Sequence, residues 1–226
     1  MKLNKTNYYI ITHNLTIVSG GVRDAVKGLS KGLIRLDCKV DLFGIKDRFL
    51  NNEIKDYNGI DLHINSELRP RRFGYTRKLY NDLVDTLKNR GGSGVIDLHG
   101  LWMHKGIVAT SVSKKFNIPV IIHPHGHLDS WALKNKSFIK KVAYFLYEKS
   151  VLSNASGFRA LTEKEVRSLQ SYKIKKPIAL IPNGVFLDEF PNNIYVDKGE
   201  SPHVEYAVYM ARITEQKGLE VLLRAW

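Results

Sequence analysis

The chain has 226 residues and a mass of 25.8 kDa, with 43% apolar and 25% charged residues, an ordinary globular mixture that excludes wholesale disorder. Its longest apolar runs, such as Val142 to Tyr147, reach six residues against the roughly 20 a membrane span needs; the run Tyr8 to Ile11 is too short for a secretion signal, and the single cysteine, Cys38, suits a reducing cytosol. Lys and Arg outnumber Asp and Glu by 35 to 22, a net charge of +13, which points to an acidic partner, and nucleic acid, an anionic membrane surface and a phosphorylated substrate all fit.

Apolar periodicity then alternates strands and helices. Tyr8 to Thr12 reads as a strand, Ser19-Gly20-Gly21 as a turn, and Val22, Ala25, Val26, Leu29, Leu33 and Leu36 as one helical face. Val40 to Phe43 and, more weakly, Ile60 to Ile64 are strands. Tyr75 to Asn89 reads as a helix with Leu79, Leu83 and Leu87 in a stripe, stopped by Gly91-Gly92-Ser93-Gly94. Strand Val95 to Leu98, helix Lys105 to Phe116, strand Pro119 to Ile122, helix Phe138 to Leu152 and strand Gly157 to Leu161 follow. Thr162 caps a helix over Glu163 to Ser171, with Glu165 at its third position, and Ile178 to Ile181 is the last strand of the set. Strands alternating with helices mean βαβ units and a mainly parallel, Rossmann-like α/β sheet with flanking helices. The texture changes after Pro182-Asn183-Gly184. We read residues 1–189 as one α/β domain, 190–203 as a Pro- and Asn-containing linker, and 204–226 as the first strand (Tyr206 to Met210) and helix (Gln216 to Trp226) of a second domain that is incomplete here, since one strand and one helix bury no core of their own.

Several motifs carry chemistry. Gly20 and Gly21 lie between a strand and a helix, where missing Cβ atoms let a ligand approach the backbone and the free N–H groups of a helix start face it; the same pair also suits a plain tight turn. The run Gly20-Gly21-Val22-Arg23-Asp24-Ala25 lacks the G-x-G-x-x-G fingerprint, which disfavours a nicotinamide dehydrogenase. Four histidines follow strand ends: His99, and His123, His125 and His127. The carboxyl ends of strands are where an open parallel sheet carries its ligand site. The alternation could also suit zinc, but Pro124 and Gly126 interrupt it and no Cys or Glu is near in sequence, so no metal is expected. No Asp-x-Asp triplet is present, so a bound diphosphate would have to be neutralised by cations rather than by chelated metal; Arg212 and Lys217, flanking a turn before Gly218, are the candidates. Helix Phe138 to Leu152 mixes Lys140, Lys141 and Lys149 with Phe138, Tyr144, Phe145 and Tyr147. It fits either an anionic bilayer, together with Arg71 and Arg72, or a core-facing amphipathic helix with a solvated lysine face.

In order along the chain stand Ser19-Gly20-Gly21-Val22, Asp97-Leu98-His99-Gly100-Leu101-Trp102, His123-Pro124-His125-Gly126-His127-Leu128-Asp129, Ile181-Pro182-Asn183-Gly184-Val185 and Ala211-Arg212-Ile213 through Lys217-Gly218-Leu219. This ordered set resembles family 4 of the retaining glycosyltransferases, which have the two-Rossmann-domain GT-B fold. Ala211 and Phe186 depart from it, where the family usually has Gly and commonly Asp. Members usually continue through a complete C-terminal domain that binds most of the nucleotide-sugar and carries a Glu-x7-Glu motif, which is absent here.

The resemblance implies transfer of a sugar from a nucleotide-diphosphate sugar to an acceptor hydroxyl with retention, without a metal or other cofactor. Gly20, Gly21, His99 and Asn183 would lie at the donor and acceptor. His125 would lie beside the sugar with its backbone carbonyl near the anomeric carbon, and Arg212 and Lys217 would hold the departing diphosphate. It further implies a nucleotide-sugar donor, a sugar or lipid-linked sugar acceptor, bacterial polysaccharide or lipopolysaccharide synthesis as the setting, and a cytoplasmic location with peripheral contact to the inner face of the membrane. Two other readings stand beside it. One is a non-enzymatic polyanion- or membrane-binding domain, although no nucleic-acid-binding signature is present and no nucleic-acid partner is expected. The other is a split half that works with a partner chain.

Overall fold

The computed structural model describes residues 6–68, 73–128, 137–186, 207–211 and 213–226. Two compact units separate, Met1–Val185 and Phe186–Trp226, and each is described by itself. The first is built on a seven-stranded sheet ordered β3-β2-β1-β4-β5-β6-β7, in which every neighbouring pair runs parallel. The strands are β1 (Asn7–Asn14), β2 (Lys39–Ile45), β3 (Asp61–Asn65), β4 (Val95–His99), β5 (Val120–His123), β6 (Gly157–Ala160) and β7 (Ile178–Leu180). The order runs outward in both directions from β1 and β4. The gap between their carboxyl ends is therefore the topological switch point, where ligands bind in such sheets.

Alternation along the strands assigns side chains to two cores. Tyr9 and Ile11 of β1 and Phe43 of β2 join a cluster with Ile96, Leu98, Val120 and Ile122. It is covered by α3 (Leu79–Asn89) and α4 (His104–Phe116). Ile10, Val40 and Leu42, of the opposite parity, join Val26 and Leu33 of α1 (Gly21–Arg35) and the buried Tyr57. The central strands β1 and β2 thus bury both faces, which is why they read as continuous apolar runs rather than as alternating ones.

In the first unit the expected elements form, with differences at their ends and within the Phe138 to Leu152 helix. The helix expected from Tyr75 begins at Leu79. A short helix α2 (Leu50–Glu53) and a 3₁₀ turn (Ile54–Tyr57), not expected from the sequence, bury Leu50 and Tyr57. The expected helix Phe138 to Leu152 is three pieces: α5 (Ser137–Ala143), a π turn (Tyr144–Glu148) and α6 (Lys149–Asn154). Its apolar stripe is not core-facing over the first half: Phe138 and Phe145 are each 76% exposed and Leu146 is 77% exposed. Thr162 caps α7 (Glu163–Ser171) as expected, its hydroxyl accepting the Glu165 N–H at 3.2 Å. The Glu165 carboxylate, however, turns away to other partners described below.

In the second unit, Ala207–Met210 is not a strand. No neighbouring strand pairs with it among the described residues, and Val208 and Met210 are exposed. Its helix, α8 (Leu219–Ala225), follows a 3₁₀ turn at Glu215–Lys217 and Gly218 at φ 68°. The linker expected at 190–203 and Arg212 lie outside the described residues, as do Arg71 and Arg72.

Candidate functional site

Three strand ends build the site. After β1 the chain turns through Thr16, whose side chain caps a 3₁₀ turn (Ile17–Ser19), and Gly20 then starts α1 at φ 53° and ψ −135°. That backbone conformation is open to glycine and strained for other residues. No atom lies within 4 Å of where a Cβ would stand at Gly20 or Gly21, so the first turn of a 15-residue helix opens onto free space. Acceptors from elsewhere hold the loop in place. Asp47 takes hydrogen bonds from Asn14 Nδ2 at 3.1 Å and Thr16 Oγ1 at 2.6 Å, and the Glu53 carboxylate takes the Ile17 N–H at 3.1 Å.

The other two ends bring the histidines together. His99 and His123 are direct partners across β4 and β5, and their rings stack at 4.2 Å. His125 adopts a left-handed conformation at φ 52°, followed by Gly126 at 75°, and this sharp turn swings its imidazole back to His99, with Nε2 2.8 Å from His99 Nδ1. His127 faces the other way: its Nδ1 accepts the Leu101 N–H at 3.0 Å and its carbonyl accepts the Trp102 indole N–H at 3.1 Å. His127 therefore braces the loop after β4, while His99 and His125 line the strand ends. Asp97 contacts His123 from beneath.

Groups invisible to local sequence patterns hold this arrangement. Glu165 Oε1 accepts the Gly126 N–H at 2.6 Å and its other oxygen accepts the Leu161 N–H at 2.7 Å. Lys105 is buried, and its ammonium donates to the His99 carbonyl. Glu148, on the π turn, accepts the Trp102 N–H at 3.1 Å, and the neighbouring Tyr147 hydroxyl donates to the Trp102 carbonyl at 2.9 Å. Together they fix Trp102 at φ 68°. Arg159 ties the loop after β7 to β6, donating to Ile181 and Pro182 carbonyls at 2.9 and 2.7 Å and to Asn183 Oδ1 at 3.3 Å.

Burial decides the protonation states. Desolvation, helped by neighbouring positive groups including Lys105, lowers His125 to about 3 and His127 to about 4, and holds His99 well below its usual value. The rings are neutral at physiological pH, so His125 offers a hydrogen bond and a dipole rather than a labile proton. Desolvation also lowers Lys105 to about 7 and raises Glu148 to about 7. Each carboxylate nearest the rings has a partner, Asp97 facing His123, Glu165 accepting from Gly126 and Leu161, and Glu148 accepting from Trp102 through one oxygen while its Oε1 has no hydrogen-bond partner among the described residues.

His99, His123 and His125 are the described residues able to offer a metal three ligand atoms within 4.8 Å of one another. Their rings are nearly parallel, with interplanar angles of 19° to 23°. An imidazole lone pair lies in its ring plane, so stacked rings aim their lone pairs along parallel planes instead of at one point. This arrangement suits a hydrogen-bonded stack better than a coordination sphere.

Of the residues singled out in the sequence, Gly20 and Gly21 lie at the β1 end, His99 and His125 are in contact, and Asn183 is held by Arg159. Lys217 belongs to the second unit. A family model described as Glycosyltransferase Family 4 matches residues 19–189, well over half the chain and every strand end described above except that of β1 itself. The chain belongs to that family.

Solved structures similar to this Glycosyltransferase Family 4 chain share its fold at low identity. Anabaena Alr3699/HepE, in complex with UDP and glucose, gives a TM-score of 0.54 at 15% identity over 80% of this chain and 45% of that one. UDP-GlcNAc 2-epimerase from Methanocaldococcus jannaschii gives 0.52 at 16% over 79% and 46%, and the enzyme from Neisseria meningitidis bound to UDP-GlcNAc gives 0.52 at 14% over 79% and 46%. The chain spans less than half the length of these relatives. No functionally curated protein matches it in sequence.

Proposed function

We propose that this chain is the acceptor-side domain of a glycosyltransferase that moves a sugar from a nucleotide-diphosphate sugar to an acceptor hydroxyl with retention of configuration. The observation that carries the reading is the turn at His125 and Gly126. It stands at the carboxyl end of β5 near the switch point, held in a left-handed conformation by Glu165, with open space where a Gly126 Cβ would be. No hydrogen bond among the described residues reaches the His125 carbonyl. Bond breaking puts positive charge on the sugar ring and negative charge on the departing diphosphate. A fixed carbonyl dipole beside the ring stabilises the former in the transition state, and a neutral His125 ring adds no opposing charge. The open amides at Gly20 and Gly21 suit the diphosphate, and Arg212 and Lys217 are its cationic clamp. His99 and Asn183 support the sugar side. No carboxylate nucleophile is assigned, and no metal, since the carboxylates at the rings are committed to other partners and the histidines stack.

The same reading places the protein at an anionic membrane, in polysaccharide or lipopolysaccharide synthesis. Phe138, Ile139, Val142, Phe145 and Leu146 are exposed at helical spacing, with Lys140, Lys141 and Lys149 among them. Such a stripe suits an anionic headgroup layer, and no helix among the described residues is long and apolar enough to cross the membrane.

The test is a donor panel of nucleotide-diphosphate sugars with sugar and lipid-linked acceptors, the nucleotide-sugar-binding half being present in cis or in trans. A glycoside with the donor's anomeric configuration, read by proton NMR, supports the reading. Inversion, or epimerised nucleotide-sugar without transfer, contradicts it.

A further inference from the structure

The π turn Tyr144–Glu148 faces two ways. Phe145 and Leu146 stand outward and continue the exposed stripe of Phe138, Ile139 and Val142. The next two residues turn inward onto one target. The Tyr147 hydroxyl donates to the Trp102 carbonyl at 2.9 Å, and Glu148, 1% exposed, accepts the Trp102 N–H at 3.1 Å. A third tie comes from α5, where Lys140 stands 5.8 Å from the centre of the Trp102 indole.

From Trp102 the connection runs into the histidine site. The indole N–H donates to the His127 carbonyl at 3.1 Å, the Leu101 N–H to His127 Nδ1 at 3.0 Å, and the Gly100 N–H to the His123 carbonyl at 2.8 Å. Residues 100–102 thus clasp the end of β4, which carries His99, to the end of β5, which carries His123 and leads into His125. Three features of the clasp cost free energy. Trp102 holds a φ of 68°, which a bulky side chain rarely adopts. Glu148 Oε1 is buried without a hydrogen-bond partner among the described residues. A π turn is a rarer backbone than the α-helix that the apolar pattern favours. A segment carrying such costs opens locally at low free energy, and an outside contact made only by the closed form shifts the balance toward it.

We propose that seating the exposed stripe on an anionic membrane orders the Gly100–Trp102 loop, and with it the strand ends bearing His99 and His125. The π turn is the lever. Lipid that holds Phe145 and Leu146 holds the same turn that carries Tyr147 and Glu148. Releasing Trp102 then means distorting that turn or withdrawing two apolar side chains from the headgroup layer. Binding and ordering are linked: the preference of the lipid for the closed form equals the extra cost of opening on the membrane. The site is thereby most ordered where a lipid-linked acceptor is presented. This inference rests on the membrane reading above and adds the regulation of the site.

The test is amide hydrogen exchange on this chain, quenched and read by fragment mass spectrometry, with and without vesicles. The vesicles are equal parts phosphatidylglycerol and phosphatidylcholine, with phosphatidylcholine alone as the comparison. With anionic lipid at about 100 times its dissociation constant, exchange at Leu101 and Trp102 is expected to slow at least about tenfold, against a ceiling of about 100-fold for lipid that binds only the closed form. Ile60, which precedes the edge strand β3 and donates to the Tyr57 carbonyl at 3.1 Å, is expected to be unchanged. Phe145→Ser with Leu146→Ser is expected to keep the parent's exchange in solution and to lose the slowing. Tyr147→Phe, which gives up one bond to Trp102 and no exposed apolar group, is expected to bind vesicles as the parent does and to show a smaller slowing. Vesicle binding with Trp102 exchange unchanged, a slowing shared equally by Ile60, or one undiminished in Tyr147→Phe or in the serine double variant would overturn the proposal and leave the membrane reading standing. No preference for anionic over neutral vesicles would remove both.

Discussion

Glu165 and Gly126 are 39 residues apart, yet the carboxylate of the first accepts the backbone N–H of the second at 2.6 Å. One side chain on α7 thereby fixes the peptide that follows His125. The other oxygen of the same carboxylate holds Leu161, at the end of β6. The turn at His125 is thus tied to the neighbouring strand.

Replacing Glu165 therefore acts on the His125 turn. Glu165→Ala leaves two backbone N–H groups without their acceptor, at a cost of about 1–3 kcal/mol each when buried, and is expected to lower turnover more than tenfold among folded molecules. Glu165→Gln keeps one carbonyl acceptor and is expected to fall between parent and Glu165→Ala in both thermal midpoint and turnover. Full activity of folded Glu165→Ala would show that the turn needs no such support.

Acid is expected to destabilise the domain sharply. His13, His125 and His127 are lowered from 6.5 to about 4, 3 and 4, and His99 is lowered too. A depressed folded value means that stability is fully present above the unfolded value, 6.5, and is lost as pH falls toward the folded ones. Glu148, raised from 4.5 to about 7, works the opposite way: its contribution is present below 4.5 and gone above 7. Lys105, lowered from 10.5 to about 7, adds stability only as pH rises between those values. Near pH 5.5, four rings less one carboxyl leave the unfolded chain binding about three more protons, or on the order of 4 kcal/mol per pH unit. Urea midpoints at pH 7.5, 6.5 and 5.5 should fall steeply over the last step. A flat profile would contradict the burial of these rings.

Much of this organisation is legible in the sequence. The strand and helix alternation follows from apolar runs and periodicity, and β4 and β5 end where His99 and His123 stand because a polar residue closes each apolar run. The motif order locates the turns at Gly20 and His125. What supports those turns is not legible. Asp47, Glu53, Lys105, Glu148 and Glu165 are charged residues at positions that read as ordinary helix or loop surface, and all but Lys105 act on groups 30 or more residues away, three of them on backbone N–H groups. The π turn at Tyr144–Glu148, which aims Tyr147 and Glu148 at Trp102, leaves no mark in a pattern that reads as one α-helix. Over Ala207–Met210, where the sequence reads as the end of a strand, none is formed and none pairs with it among the described residues, since an apolar run becomes a strand only beside a partner and local sequence does not supply one.

The exposed stripe on α5 and the π turn gives a membrane prediction. Co-sedimentation with vesicles holding anionic lipid is expected to exceed that with neutral vesicles severalfold and to weaken with salt. Phe145→Ser with Leu146→Ser should remove most of it without lowering the thermal midpoint, since both side chains are already more than three-quarters exposed. Equal binding to both vesicle types, or retention in the double variant, would rule this surface out.

The central claim is tested most directly by His125→Ala, with turnover per folded molecule and thermal midpoint read on the same preparation and the nucleotide-sugar half present. His125→Ala keeps the backbone carbonyl but removes the imidazole whose bond to His99 helps hold the turn, and a carbonyl no longer fixed beside the sugar gives up a transition-state contact of a kind that typically costs about 10²-fold or more, roughly 3 kcal/mol. The account predicts a fall of that size with a midpoint within a few degrees of the parent, because His125 stands on an open turn and gives up one side-chain hydrogen bond, to His99. Turnover within about threefold of the parent, roughly 0.65 kcal/mol in barrier, together with a large drop in midpoint, would contradict it and leave the histidine stack a structural feature of the sheet edge.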